Sequence, residues 1–515
     1  MKKKFLLETF LLFILGSLTS LSLPPLNFFL INFFTLSIFL AFLFKKLDEK
    51  NSKKIFFYYG WLFGFGYFLT NLYWITISLT FDENFTFLIP IALFLIPSFL
   101  AFFYAIVSLL FKIYNPKNIL SAFFLFSFLF GFSEFVRGTI LTGFPWNLII
   151  YSLSKNLNFI HIISIIGTYS LNLVIISLFT LPVIYFLKKT KKEIIVCILL
   201  LFLPIIFITY GSIQKKEFLK NIEKKNDYTI RVIGSNIKLD RFYNNIQSEK
   251  VINELISISS PEKKKNIFFI WPEGIVPNIY RDELNLYSNL FKRYFDKNHL
   301  IGLGITSRKI KDNQYEYYNS LSIFDNNLDL IKNYNKVKLV PFGEFLPFEK
   351  LFNKIGLKTI TNNFGSFSKG ENRKIIKLKN DSSELRFLPL ICYEIIYSGN
   401  LTKDSNFDFI LNISEDGWFG KSIGPKQHFV HSIFRAIENG KYVIRASNNG
   451  MAAIVNPLGQ IEKKIDYGVS DYIDFEKRRD VQKTIFSIFG NRIFIILILL
   501  YIFLIFSFNR IRNSI

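Results

Sequence analysis

RFLPLICYEIIYSG, residues 386–399, opens on an apolar run that ends in Cys392 and is followed two positions later by Glu394. A run of this length reads as a strand buried on both faces, as in a parallel sheet covered by helices. Similar runs recur as YTIRVIGSNI (228–237), NIFFIWPE (266–273), LIGLGITSRK (300–309), YEYYNSLSIFD (315–325) and FDFILNISED (407–416). KYVIRASNNG (441–450) and MAAIVNPLG (451–459) complete the series. Between them, polar–apolar periodicity predicts helices up to about 257, near 282–296 and over PKQHFVHSIFRAIENG (425–440). The alternation predicts an α/β layered core, with acidic and thiol groups where strands emerge, the place where sites collect in such sheets.

The remainder of the chain is of another kind. With 50% hydrophobic and 18% aromatic residues, including 62 Phe, 515 residues are too apolar for one water-soluble body. Seven apolar runs precede residue 212, at about 5–22, 27–44, 55–80, 86–111, 119–137, 159–187 and 193–211, and an eighth covers about 493–509. Most reach the roughly 20 residues needed to cross a bilayer. Lys2–Lys4, Lys45, Lys46, Lys50, Lys53, Lys54, Lys112, Lys117, KKTKK (188–192), Arg510 and Arg512 fall on one side if every run spans. Basic loops mark the cytoplasmic face, so both termini are expected inside and 212–489 outside. The expected layout is a transmembrane region over 1–211, an outward-facing α/β domain over 212–489 and a C-terminal helix with a short tail over 490–515. The first run also fits a signal peptide, but the A-x-A site is absent and a second apolar run follows at once.

A formal charge of +23 invites a nucleic-acid function, yet the basic residues sit beside apolar runs and no RNA-reading motif is present. No nucleic-acid partner is expected. Glu273, Lys336 and Cys392 at or near strand ends would suffice for acyl transfer. A carboxylate can take the thiol proton, and an ammonium can stabilise the oxyanion of the tetrahedral intermediate. Taken one at a time, each is as readily a packed cysteine, a solvated strand terminus or a surface charge.

WPEG (271–274), the YxKxxLVPFGE pattern ending at Glu344, and ICYE (391–394) resemble the three catalytic stations of the nitrilase, or carbon–nitrogen hydrolase, superfamily. LVPFGEFLP (339–347), DGWFGKSIGPKQHF (416–429), SNNGMAAIVNPLG (447–459) and SEFVRGTILTGFPWN (133–147) resemble the apolipoprotein N-acyltransferase family in particular. The resemblance implies an αββα nitrilase-like sandwich on about eight transmembrane helices in a bacterial inner membrane, with the catalytic domain periplasmic. It implies Glu273 as general base, Lys336 as the oxyanion-stabilising lysine and Cys392 as nucleophile. Glu344 would orient the lysine or base, and Tyr393 and Glu394 would flank the nucleophile and shape the pocket. The implied partners are a phospholipid acyl donor and a diacylated apolipoprotein acceptor. Two positions depart from the family pattern: Lys338 where a histidine is usual, and Glu415 where an asparagine is usual.

Residues 346–370, mixing Phe, Leu and Ile with Lys and Gly, suit a mobile arm at the membrane surface and equally a plain structured surface loop. Trp271, Phe342 and Phe345 are expected to exclude water from a thioester. Glu134 and Arg137, three residues apart near the outer end of the fifth run, read either as an interfacial pair that anchors the helix or as groups that serve substrate entry. GWFGKS (417–422) lacks the first glycine of a phosphate loop, and there is no G-x-S-x-G elbow. His428 and His431 lack an evident third ligand, so neither metal nor cofactor is expected. Cys197 lies inside the seventh run, which rules out a disulfide with Cys392. The alternatives are a membrane-tethered amidase that uses water as acceptor, and a transporter or scaffold whose outer domain only binds.

Overall fold

A computed structural model of the chain describes residues 2–50, 52–187, 191–243, 246–347, 365–380, 383–399, 401–402 and 404–510. Twelve strands form its sheet: β1 (Glu223–Ser235), β2 (Ile267–Ile270), β3 (His299–Lys311), β4 (Gln314–Phe324), β5 (Leu330–Asn335), β6 (Ile376–Asn380), β7 (Ser383–Ile391), β8 (Phe409–Glu415), β9 (Tyr442–Asn448), β10 (Ala452–Val455), β11 (Ile461–Ile465) and β12 (Asp471–Arg479). The path runs β5-β4-β3-β2-β1-β9-β8-β7-β6, with β12 on β1 and β10 and β11 beyond β9. Strands β1 and β9 meet at only two pairs, Gly234–Ser447 and Ser235–Asn448. The sheet therefore divides into two six-stranded halves, which fold face to face.

Side-chain alternation explains the layering. Phe268 and Ile270 of β2 enter the core shared by the halves, beside Phe387 and Ile391 of β7 and Phe409, Leu411 and Ile413 of β8. The opposite face of β2, Ile267 and Phe269, packs with residues of α9 (Ser248–Ser259) and α10 (Ser288–Tyr294). The opposite face of the second half, with Leu388, Leu390, Ile410 and Val443, packs with α11 (Gly424–Asn439). Successive strand side chains point to opposite faces, so a continuous apolar strand serves two cores at once. The result is the expected α–β–β–α order. Strands β5, β6, β11 and β12 lie outside the runs recognised in the sequence; β11, IEKKI, exposes four of its five residues and carries no apolar signal.

Among the described residues, eight longer helices lie outside the sheet: α1 (Lys2–Ser20), α2 (Ile31–Lys46), α3 (Lys53–Leu72), α4 (Ile89–Tyr114), α5 (Ile119–Thr139), α7 (Ile163–Leu187), α8 (Lys191–Lys220) and α13 (Arg492–Arg510), with the short α6 (Leu157–Ile160) and α12 (Ile485–Phe489) between them. Among the described residues six segments are long and apolar enough to cross a membrane: Lys53–Thr80, Glu83–Tyr114, Ile119–Thr139, Ile163–Leu187, Lys191–Lys220 and Arg492–Arg510. The other two of the eight runs differ for simple reasons. Helix α1 carries Lys2, Lys3, Lys4 and Glu8 in its first two turns, and α2 has 16 residues, about 24 Å at the helical rise. Helix α8 continues past residue 211 to Lys220, where Phe218 joins the core between the sheet halves.

One apolar cluster contains residues of α2 to α5 and α7 together with Leu388, Ile410, Val443 and the α11 residues Phe429, Val430, Phe434 and Ile437. Helix α11 is thus shared between the sheet and the helical region. Of the segment 346–370, residues 348–364 lie outside the described residues.

The rings of Phe268 and Phe387 lie 5.9 Å apart across the two halves, and neither side chain is exposed. Phe268→Ala should cost about 3–5 kcal/mol, the usual range for a buried Phe. Ile310→Ala, at a 70% exposed position, should stay within about 0.5 kcal/mol. Thermal unfolding of the purified protein in detergent would compare the two.

Candidate active site

Glu273 follows β2, Lys336 follows β5, and Cys392 follows β7. The fold brings the first two into direct contact. The Lys336 Nζ donates to Glu273 Oε1 at 3.1 Å and to Glu344 Oε1 at 2.9 Å. Asn319, on β4, donates its Nδ2 to both carboxylates at 2.7 Å. Backbone amides take the remaining oxygens: Glu415 N–H donates to Glu273 Oε2 at 2.9 Å and Val340 N–H to Glu344 Oε2 at 2.8 Å. All four side chains are buried.

This packing needs close backbone approach. A Cβ on Gly304 of β3 would lie 2.4 Å from Pro272 O and 2.5 Å from the Glu273 Cα, so only glycine lets β3 pass beneath the WPEG loop. Cys392 stands at the end of β7 with φ +48°. A left-handed non-glycine residue persists only where its surroundings over-determine it, and such residues concentrate at sites.

The electrostatics follow from the inventory. Burial alone would lower the Lys336 ammonium, but Glu273 and Glu344 outweigh it and hold the lysine above its usual range. Burial raises the Glu344 carboxyl, with Lys336 opposing and Glu273 adding to the rise. Burial and then the Glu273 charge push the Cys392 thiol well up, while Lys336 pulls the other way. The resting cysteine is therefore a thiol that requires a base. A carboxylate, an ammonium and a thiol so arranged can remove a proton, hold an oxyanion and carry an acyl group.

Lys338 lies outside this cluster. Its ammonium sits 5.2 Å from the Tyr397 ring centre, and burial, then Arg373 and Lys369, lower it. Glu394 ties strands together and is fully buried. Its carboxylate accepts from Tyr334 Oη at 2.9 Å, Ile391 N–H at 2.9 Å, Val337 N–H at 3.0 Å and Lys338 N–H at 3.1 Å. Tyr393 points away toward the helical region, donating its hydroxyl to Gly143 O at 2.9 Å. The expectation that Trp271 lines a water-excluding pocket does not hold. Strand alternation turns its ring into the α9 side of the sheet, where the indole N–H donates to Ser259 Oγ at 2.9 Å. Phe342 is exposed and Phe345 half-buried.

Glu415 is accommodated by Arg241, whose buried guanidinium pairs with it, and by Asn448 and Asn449. His428 and His431 do not converge: His428 Nδ1 lies 2.8 Å from Asp416 Oδ1, and the His431 ring packs on Tyr151. Sequence reasoning missed Asn319, Asp416 and Arg445. Arg445 Nη2 donates to Asp416 Oδ2 at 2.8 Å, and with His428 it holds the Asp416 carboxyl low despite burial. For Arg445 the signal was available, since it interrupts the apolar run that opens β9; Asn319 stands among other polar residues of β4.

The model of the apolipoprotein N-acyltransferase N-terminal domain matches residues 15–181. The carbon–nitrogen hydrolase model matches residues 263–474, a span that contains Glu273, Lys336, Glu344 and Cys392. An apolipoprotein N-acyltransferase of Rickettsia bellii is 33% identical over 503 residues, 96% of each chain. That of Rickettsia prowazekii is 35% identical over 488 residues, 93% of this chain and 94% of its own. That of Rhizobium etli is 30% identical over 475 residues, 89% of this chain and 88% of its own.

The charge arrangement has a direct test. In a Cys197→Ala background, alkylation of Cys392 by iodoacetamide should rise through a midpoint above the ordinary thiol value of about 8.5. Glu273→Gln removes the repelling charge and should lower that midpoint. Lys336→Met removes the opposing cation and should raise it. Shifts of the opposite sign would contradict the arrangement.

Proposed function

Because this chain belongs to the apolipoprotein N-acyltransferase family, we propose that it moves an acyl chain from a membrane phospholipid to the N-terminal α-amine of a diacylglyceryl-cysteine lipoprotein, through a thioester on Cys392. The observation that carries this is the buried Glu273–Lys336–Glu344 cluster beside a thiol in a left-handed turn, on a sheet packed against apolar helices. A soluble amide gives no reason to attach a catalyst to such helices. A substrate that stays in the bilayer does.

In the first step Glu273 takes the thiol proton as Cys392 sulfur attacks the ester carbonyl. The Lys336 ammonium stabilises the oxyanion. Collapse breaks the ester C–O bond, and Glu273 returns the proton to the leaving lysophospholipid oxygen. In the second step the neutral α-amine attacks the thioester carbonyl and a C–N bond forms; Glu273 takes a proton from the nitrogen, the C–S bond breaks, and that proton passes to the released thiolate. Glu344 and Asn319 hold the lysine and the base in register; they touch neither substrate.

Orientation belongs to the same proposal. The clustering of basic residues in loops on one side of the apolar runs supports an outer-face position for residues 212–489 at the inner membrane. A membrane-impermeant maleimide should label Asp312→Cys, at the tip of the β3–β4 hairpin, in intact spheroplasts of a Cys197→Ala strain. Labelling only after permeabilisation would reverse the orientation.

Glu273→Gln and Lys336→Met should each lower transfer about 10²-fold or more, the scale of losing a general base or an oxyanion donor. Lys338→Met should have far less effect. With labelled phospholipid and no acceptor, wild type should bind one acyl group per enzyme and then stop. Cys392→Ser and Cys392→Ala should bind none, and diacylglyceryl-cysteine peptide should chase the label off. The chase should slow below the ordinary α-amine pKa of about 7.7–8.0, since the protonated amine has no lone pair. Steady release of fatty acid without acceptor, at the rate seen with it, would indicate a hydrolase using water instead.

A further inference from the structure

The loop that leaves α5 reaches the nucleophile from both sides. Its base is the Glu134–Arg137 pair, whose side chains are fully buried. Glu134 accepts from Tyr104 Oη at 2.7 Å and from Asn172 Nδ2 at 2.5 Å. Arg137 Nη1 donates to Phe144 O at 2.6 Å and to Asn147 Oδ1 at 2.8 Å, so one guanidinium spans the loop. Gly143, with φ +74°, lies so close to the helix end that a Cβ would meet Gly138 O at 2.4 Å. The loop is a built and tightly held object.

Two contacts pass from it to the turn that begins at Cys392. Gly143 O accepts the hydroxyl of Tyr393, the next residue, at 2.9 Å, and Thr142 O accepts that of Tyr397 at 2.8 Å. On the other flank, the Trp146 indole N–H donates to Gln427 Oε1 at 2.9 Å. Its ring stacks on His428 with centres 5.2 Å apart, and His428 Nε2 lies 3.3 Å from Cys392 O. Cys392 itself is held at φ +48°, a conformation that needs such external support.

We infer that loop 142–147 is a clamp on the nucleophile turn, with Arg137, Trp146 and Tyr393 as positioning residues. The helical region is then a structural part of the catalytic centre as well as its attachment to the bilayer. This rests on Cys392 being the nucleophile, as proposed above.

The test uses the full-length enzyme in detergent with saturating donor and acceptor. Tyr393→Phe deletes one hydroxyl, and Trp146→Phe deletes the indole N–H while keeping a ring. Each should lower kcat about tenfold, the order expected for slight misplacement of a reacting group, with KM for the donor within about twofold. Arg137→Gln combined with Tyr393→Phe should lose no more than the worse single variant, because both hold the same loop, at Phe144 and at Gly143. If Arg137→Gln does not insert stably, Arg137→Lys takes its place in that comparison. Unchanged kcat in Tyr393→Phe and Trp146→Phe, a rise in KM alone, or fully additive losses would overturn the clamp and leave the nucleophile assignment standing. Transfer that survives Cys392→Ala would overturn the nucleophile assignment and, with it, the clamp.

Discussion

A single buried ammonium, Lys336, is shared by two buried carboxylates, Glu273 and Glu344. Charges removed from water persist only when paired and fully hydrogen-bonded, and here two acidic groups share one cation, a surplus of one acidic group. Neutral donors offset it: the Asn319 amide and two backbone N–H groups. The surplus is also what Cys392 feels. Burial first, and then the charge of Glu273, raises its thiol well above the usual range.

Satisfying that cluster dictates the surrounding architecture. The lysine comes from the end of β5, one carboxylate from the loop after β2, the other from the bridge at Pro341–Phe345, and a locating amide from β8. Only two sheet halves folded face to face bring all four to one place. Glu394 then joins the lysine-bearing loop to the turn at Cys392 by accepting N–H groups from both. Its carboxylate is divided between these backbone groups and the side chains of Tyr334 and Arg373.

The same logic continues into the helical region. Helix α11 belongs to the core of the sheet and to that of the helices at once. His428 faces the site, whereas Arg435 donates to Ile396 O and to Thr168 Oγ1 of α7. Glu438 accepts from Thr168 N–H. Buried polar groups that span two units must be satisfied by both, which ties the geometry around Cys392 to the packing of α5 and α7.

Much of this was determined by the sequence itself. Apolar run lengths specify helices that suit a bilayer, uninterrupted strands specify a sheet covered on both faces, and the motifs around Glu273, Lys336, Glu344 and Cys392 specify which polar residues could meet. Those properties are local, because they follow from the periodicity and solvation of neighbouring residues. What only the tertiary structure decided is non-local. Lys336 and Lys338 are two residues apart and chemically alike, yet only Lys336 lies between the carboxylates. The side chains of Trp271 and Tyr393, expected at the pocket, turn elsewhere because strand alternation and the loop at Gly143 direct them. Asn319 and Arg241 gain their roles from partners 46 and 174 residues away. A buried charge selects its partners by distance in space, and that distance is set when the two halves of the sheet close and α11 docks against the helices.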